Sequence, residues 1–240
     1  MFIVMTGTGT DVGKTIATAV LARSIKEAGH VVGVAKPVQT GEPVGHGDIA
    51  TVQRLTGIAG VEMVRYPEPL APNLAARRAG LPGISLHDVV QWLRDVERRA
   101  PAECAQGEEP VILVEGAGGI TVRLADDVTI LDIACALGAP LVVVTAMGLG
   151  SLNLAELTVT HARRKGAHVA ALVGGSMPAA PDLATRLNAQ ELPRVTEAPL
   201  IGLIPEQVGQ LSAKEFEALY VPIDLEPLGL GASGQADHRI

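Results

Sequence analysis

Aromatic side chains are scarce in this 240-residue chain: one tryptophan, two tyrosines and two phenylalanines, 2% of the residues. A core without rings must be filled by Val, Leu, Ile and Ala, which suits a parallel sheet buried on both faces. The same scarcity leaves no aromatic stripe for bases to stack on, and no run of lysine or arginine accompanies it. With a formal net charge of −7, this excludes a general nucleic-acid binder. Cysteine is nearly missing too. Cys104 and Cys135 form neither a metal-ligand spacing nor a disulfide framework, so the reducing cytoplasm is the expected compartment. No apolar stretch approaches the about 20 residues of a membrane span. The opening apolar run has no basic region before it and reads as a strand, not a signal peptide. His30, His46, His87, His161, His168 and His238 are scattered without ligand spacing, and no Ser-His-Asp or Cys-His set is suggested. What remains is enough chain for one α/β domain, whose chemistry calls for no covalent protein nucleophile.

The chain does contain a phosphate loop. Thr6-Gly7-Thr8-Gly9-Thr10-Asp11-Val12-Gly13-Lys14-Thr15 follows the apolar run Phe2-Ile3-Val4-Met5 and precedes a helical stretch from Ile16 to Ala28. A buried strand, a glycine-rich loop ending Gly-Lys-Thr and a helix together hold nucleotide phosphates. Glycines let successive N–H groups turn toward one anion, and the helix directs its positive end to the same place. Lys14 supplies a full charge near the β- and γ-phosphates. The Thr15 hydroxyl suits Mg²⁺, which prefers hard oxygens. The strict pattern wants glycine five residues before Gly13, where this chain has Thr8 flanked by Gly7 and Gly9.

Apolar strand candidates recur at 2–6, 31–35, 110–114, 140–145, 168–173 and 199–204. Helical patterns fall near 13–28, 47–56, 85–100, 129–137, 151–165, 181–191 and 212–219. Leu86, Val89, Val90, Leu93 and Val96 keep helical spacing behind a Ser85–Asp88 capping box. This alternation implies a mostly parallel central sheet with helices on both faces, in three layers. Loop composition marks 41–47 and 67–84. One domain over 1–223 is expected, with 224–240 as a poorly ordered tail.

Ligands in such sheets sit at the carboxyl ends of strands, so the residues after each apolar run are the site candidates. Lys36-Pro37-Val38-Gln39-Thr40-Gly41 would bring a second lysine to the crevice of Lys14, which suits a reaction that builds negative charge near the γ-phosphate. Asp48 reads equally as a helix N-terminal charge and as a metal ligand. Glu115, following Val111-Ile112-Leu113-Val114, stands where an acid would hold or order Mg²⁺, with Gly116-Ala117-Gly118-Gly119 allowing close approach of substrate. Thr15, Asp48 and Glu115 would supply three hard oxygens to one Mg²⁺. Gly150-Ser151-Leu152-Asn153 opens a helix, with Ser151 either a plain N-cap or part of an anion site. Gly174-Gly175-Ser176 and Pro205-Glu206-Gln207 are candidate nucleobase walls or plain loops.

Gly7 to Thr15, Lys36-Pro37-Val38, Val114-Glu115-Gly116-Ala117-Gly118-Gly119 and Leu149-Gly150-Ser151-Leu152-Asn153 together resemble the dethiobiotin synthetase family, in its order and at similar intervals over roughly residues 2–207. The resemblance implies a P-loop NTPase fold and an ATP-dependent, Mg²⁺-dependent ring closure of 7,8-diaminononanoate with CO2 in biotin synthesis. It implies catalytic roles for Lys36, Lys14 and Thr10, and Mg²⁺ ligation by Thr15, Asp48 and Glu115. Nucleotide contacts are implied for Asp11, Val12, Gly13, Lys14, Thr15, Ile16, Asp48, Glu115, Gly116, Ala117, Gly118, Gly175, Ser176, Pro205, Glu206 and Gln207. Substrate contacts are implied for Thr40, Gly118 and Gly150, Ser151, Leu152 and Asn153, the last four reaching a neighbouring subunit's substrate in a homodimer.

Two departures stand out. Many members carry Asn-Asp where this chain has Gly175-Ser176, and the Asn reads adenine; glycine offers backbone groups alone, so tolerance of other nucleoside triphosphates is expected. The histidine that follows the position of Asn153 in many relatives is Leu154 here. The rival reading is a partitioning or metal-insertion ATPase used as a dimer switch. Such proteins put a second lysine early in the loop, where this chain has Thr6, Thr8 and Thr10. A cobyrinate-type amidotransferase would need a glutaminase domain for which 240 residues leave no room. A bare nucleotide-binding module would not explain Lys36.

Overall fold

Runs of Val, Ile and Leu bounded by glycine and polar turns build the centre of the sheet, in a computed structural model that describes residues 1–99 and 109–231. Cys104, His238 and the last residue expected in the 85–100 helix lie outside the described residues. In chain order the elements are β1 (Phe2–Gly7), α1 (Lys14–Glu27), β2 (Val32–Thr40), α2 (Asp48–Thr56), β3 (Gly60–Tyr66), α3 (Pro72–Ala79), α4 (Leu86–Arg99), β4 (Val111–Gly119), β5 (Arg123–Ala125), β6 (Val128–Thr129), α5 (Ile130–Leu137), β7 (Leu141–Thr145), α6 (Ser151–Arg164), β8 (Val169–Met177), α7 (Leu183–Thr196), β9 (Leu200–Pro205) and α8 (Ala213–Ala218). Seven strands form one sheet in the order β3-β2-β4-β1-β7-β8-β9, every pairing parallel. β5 and β6 make a separate antiparallel pair.

The strand period of two divides the core into two layers. Ile112 and Val114 enter one apolar cluster with α3 to α7, while Val111 and Leu113 enter the other with α1, α2 and α8. Leu141 and Val143 alternate with Val142 and Val144 in the same way. The sheet is thus covered on both faces, as its aliphatic composition predicts. Helix starts are fixed locally. Ser85 Oγ accepts from the Asp88 N–H (3.1 Å) and donates to the Asp88 carboxylate (2.6 Å). Thr129 and Asp132 form a reciprocal capping box at α5.

Four differences from the sequence reading bear on the site. β2, β4 and β8 run beyond their apolar stretches, so Lys36, Glu115 and Gly175 lie inside strands, not after them. Their ladders continue, for example Val38 with Val64 and Thr40 with Tyr66, and Val38 and Tyr66 remain in the core. β3 has no counterpart among the expected strands, and α3 lies within the segment 67–84 read as loop. Pro72 opens α3 at its first turn, a position where proline fits a helix. The described part of the expected loose tail is packed: Glu226–Leu228 forms a 3-10 turn, and Leu228 and Leu230 are buried with α1 and α2.

Candidate active site

The phosphate loop joins the central strand β1 to α1. The Thr8 N–H donates to the Val144 carbonyl (2.9 Å), and its hydroxyl reaches Thr145 Oγ1 (3.4 Å). The non-glycine position that breaks the strict spacing is therefore stitched to β7. No side chain caps the start of α1, whose cap residue Gly13 has a left-handed backbone. Its first N–H groups are left for an anion.

Behind the loop, β2, α2 and β4 converge on one charge centre. Lys36 Nζ donates to Glu115 Oε1 (3.1 Å) and to the Gly116 carbonyl (2.9 Å), and pairs with the Asp48 carboxylate. The Thr15 hydroxyl lies 2.8 Å from Asp48 Oδ1 and 2.9 Å from Glu115 Oε1. One hydroxyl proton serves only one of those oxygens at a time. The other Glu115 oxygen, Oε2, is buried without a hydrogen-bond partner; the nearby Thr18 hydroxyl donates instead to the Lys14 carbonyl (3.0 Å).

The charges adjust to this crowding. Burial works against the Lys36 ammonium, but Glu115 and Asp48 outweigh it and hold its pKa above the usual lysine value. Asp48 is likewise buried, yet Lys36 holds its carboxyl below the ordinary range. Burial pushes Glu115 up, against Lys36 and with the help of Asp48. Burial also pulls Lys14 below its usual value, against the attraction of Glu115. Removing Lys36 would leave two carboxylates without the cation that bonds to both, with Lys14 acting on them only through space, a costly arrangement in a buried site.

These groups floor a cleft of about 1030 Å³. Of the site candidates, Thr10, Asp11, Gly13, Lys14, Thr15, Ile16, Lys36, Thr40, Asp48, Glu115, Ala117 and Gly118 line it. Val12 is buried beneath the loop, and Gly116 takes part through its carbonyl. A wall that the sequence reading missed comes from Val38, Pro69, Leu70, Pro72 and Val122. Gln39, quoted only as part of a strand end, also lines the cleft and accepts the Asp48 N–H at its Oε1 (3.0 Å).

The remaining candidates lie off this cleft. Gly175 packs under the phosphate loop: a Cβ there would fall 1.9 Å from the Val12 carbonyl oxygen. Ser176 is exposed with a left-handed backbone. Pro205, Glu206 and Gln207 are exposed, and Glu206 Oε1 accepts from the Ala179 N–H (3.2 Å). The 3-10 turn that follows, Val208–Gln210, sits against Ile16 through Gly209. Arg54 of α2 donates to the Gly209 and Leu211 carbonyls (2.7 Å each). Gly150, Ser151, Leu152 and Asn153 start α6 away from the cleft of their own chain. There Ser151 is buried and Asn188 Nδ2 of α7 lies 3.1 Å from its Oγ, while also donating to Met147 O (3.0 Å) and Gly148 O (2.8 Å).

The donor set fits Mg²⁺. Among the described residues no cluster of three or more His, Cys, Asp and Glu side chains is placed to hold a metal. Thr15, Asp48 and Glu115 instead offer a hydroxyl and two carboxylates, with one carboxylate oxygen unpartnered. Mg²⁺ takes such hard oxygens and fills its shell with phosphate and water.

Known proteins resemble this chain at two levels. A family model described as an AAA domain matches residues 2–213. Over the whole fold the chain is similar to a ParA family ATPase from Chlorobium tepidum, with TM-score 0.55, 14% identity and coverage of 98% of this chain and 94% of that one. The septum site-determining protein MinD from Pyrococcus horikoshii gives TM-score 0.54 and 14% identity over 91% and 89%. Those likenesses concern the fold alone. In sequence the chain is 55% identical to the ATP-dependent dethiobiotin synthetase BioD of Corynebacterium efficiens over 90% of this chain and 94% of that one. It is 52% identical to the protein of that name from Corynebacterium diphtheriae over 92% and 97%, and 49% identical to that from Rhodococcus jostii over 90% and 91%. With identities far above the 14% of these structural neighbours and coverage of nearly the full length, the chain belongs to the dethiobiotin synthetase family.

Proposed function

We propose that the protein closes the ureido ring of dethiobiotin from 7,8-diaminononanoate and CO2 at the expense of ATP. The observation that carries this reading is Lys36, held between Asp48 and Glu115 on the cleft floor beside Lys14. One substrate amine adds to CO2, loses a proton and becomes a carbamate. A carbamate oxygen then attacks the γ-phosphorus, the bond to the leaving ADP oxygen breaks, and a carbamic-phosphoric anhydride results. The second amine attacks the anhydride carbon, gives up its proton, and phosphate leaves.

The chain's own residues work on charge and position. Carbamate and γ-phosphate are both anions, so their approach needs screening; Lys36 and Lys14 supply it in a partly dry site where it counts most. Because the carboxylates hold Lys36 protonated, its charge does not depend on an incoming ligand. The N–H groups at the start of α1 hold the phosphates. Thr15, Asp48 and Glu115 would hold Mg²⁺, whose chemistry when bound is to neutralise phosphate charge. Thr10 and Thr40 line the cleft as candidate hydroxyl contacts, Gly118 admits substrate close to the backbone, and the Val38–Pro69–Leu70 wall suits an aliphatic chain. The second amine is tethered beside the carbonyl, so ring closure needs little beyond proximity.

The start of α6 is the proposed seat of the substrate carboxylate, contributed to the neighbouring subunit of a homodimer. Leu149, Leu154 and Leu157 at and along α6 and Leu183 and Leu187 on α7 are exposed, which supports a covered face there. The cytoplasm, where the nucleotide is supplied, is the proposed location; among the described residues no helix is long and apolar enough to cross a membrane.

Incubation with 7,8-diaminononanoate, bicarbonate, Mg²⁺ and ATP tests the proposal. Dethiobiotin, identified by mass, is the expected product. ATP turnover that ignores the diamine and yields no product would reject it.

A further inference from the structure

Asp48 follows a loop, residues 41–47, that holds one turn, closed from the His46 N–H to the Pro43 carbonyl (3.1 Å), and lines the cleft through Glu42, His46 and Gly47. Such a segment would be mobile if only its ends were fixed. Its backbone is instead gathered by one side chain. Arg65 of β3 donates through Nη1 to the carbonyls of Glu42 and Pro43 (2.8 Å each) and through Nη2 to that of His46 (2.9 Å). Its Nε and Nη2 also grip the Glu62 carboxylate at 2.6–3.0 Å. A guanidinium has five N–H donors in a fixed plane, and these partners occupy all of them.

The last residues of the loop are fixed just as closely. Arg65 stands beside Gln39 in the β2–β3 ladder. Gln39 Oε1 accepts the Asp48 N–H, and the Gln39 side chain packs against Gly47, whose φ is +104° and whose added Cβ would come within 2.7 Å of it. The chain from Arg65 through the loop carbonyls and Gln39 therefore ends on the backbone of Asp48.

We infer that Arg65 is a positioning residue: by holding the carbonyls of Glu42, Pro43 and His46 it sets the Asp48 carboxylate against Thr15 and Lys36, and so sets the enzyme's affinity for Mg²⁺. This rests on the reading of Asp48 as a metal ligand. Neither the charge of Arg65 nor its pairing with Glu62 would suffice, because three carbonyls are held from two different nitrogens of one side chain. Lysine, whose three donors sit on one nitrogen at the end of a flexible stem, cannot span these carbonyls and Glu62 as three separate nitrogens do.

The test compares Arg65→Ala, Arg65→Lys, Glu62→Gln and Asp48→Asn. Two measurements are made on each: hydrogen–deuterium exchange over residues 41–48 in the protein alone, and the Mg²⁺ concentration that half-saturates dethiobiotin synthesis. Arg65→Ala and Arg65→Lys should both speed exchange over 41–48 by about tenfold or more and raise the half-saturating Mg²⁺ by roughly tenfold. The rate at saturating Mg²⁺ should stay within about threefold of the parent. Glu62→Gln, which keeps the three carbonyl contacts, should change each by less than about threefold. In the Asp48→Asn background, Arg65→Ala should add almost nothing to the Mg²⁺ requirement, as coupled residues do. Unchanged exchange, full rescue by lysine, or an unchanged Mg²⁺ requirement in Arg65→Ala beside a raised one in Asp48→Asn would overturn the inference and leave the metal reading standing. An unchanged requirement in Asp48→Asn would overturn the metal reading and the inference with it. If Arg65→Ala does not fold, Arg65→Lys carries both measurements.

Discussion

The two ends of the ligand-binding edge are built differently. Over β2, β4 and α1, the phosphate end is made of charged side chains in mutual contact: Lys36, Asp48, Glu115 and Thr15, with Glu115 and Lys36 almost wholly buried. Over β7, β8 and β9, the other end is made of backbone and solvent-facing residues: Gly150, Gly175, Ser176 and the exposed Pro205-Glu206-Gln207. Buried ion pairs lose strength when one partner is removed, because the survivor has no water to fall back on. Exposed loops have that water and tolerate change. The contrast teaches where chemistry and where recognition reside. At the phosphate end charged side chains hold one another in place within the chain, while near the opposite end Leu149, Leu154 and Leu157 stand exposed.

The largest expected effect lies at the phosphate end. Lys36→Ala removes the cation shared by Asp48 and Glu115 and the screening between carbamate and γ-phosphate. Turnover should fall by about 10²-fold or more, the scale of losing a charge stabiliser, with product formation measured at saturating nucleotide and Mg²⁺. A rate within a few fold of the parent would take Lys36 out of the reaction and erase the contrast between the two ends.

A smaller effect should follow where the ends meet. Gly175→Ala puts a methyl 1.9 Å from the Val12 carbonyl oxygen, a backbone atom that can yield only by moving the phosphate loop. Overpacking of this kind costs about 1–3 kcal/mol. Thermal unfolding should report a matching loss, and the KM for nucleotide should rise roughly tenfold, equivalent to about 1.4 kcal/mol, while the rate at saturation changes less. A stable variant with parental KM would mean that β8 does not support the loop.

The phosphate end was also the more legible in sequence. Its residues follow apolar runs, and Lys36 after Val-Gly-Val-Ala and Glu115 after Val-Ile-Leu-Val are conspicuous even though both lie within strands. β3 escaped notice because it is an edge strand in which Glu62 and Arg65 interrupt the apolar residues. α3 was hidden by Pro69, Pro72, Gly80 and Gly83, which punctuate a loop as readily as a helix that starts on proline. In the described part of the expected tail, 224–231, the glycines hide the burial of Leu228 and Leu230 among α1 and α2, while 232–240 lie outside the described residues. Arg65 left no signal at all, since its partners are carbonyls some twenty positions away that any sequence would supply.

The smallest expected difference concerns the base of the nucleotide. At Gly175, where the family resemblance leads one to expect an asparagine, the contact with Val12 leaves no room for any side chain on this backbone. The neighbouring Ser176 faces solvent, and Glu206 turns its carboxylate to the Ala179 N–H. A site that rejects the wrong ligand strongly does so by leaving its own buried polar groups unpaired. Here the polar groups at hand are exposed, and water satisfies them whichever base is present. Under identical conditions kcat/KM for ATP, CTP and GTP should therefore agree within about tenfold, because the affinity comes from phosphates that all three share. A preference for ATP of about 10³-fold or more would mean that the backbone of 174–176 reads adenine as strictly as a side chain does, and the two ends of the edge would then differ in placement of charge alone.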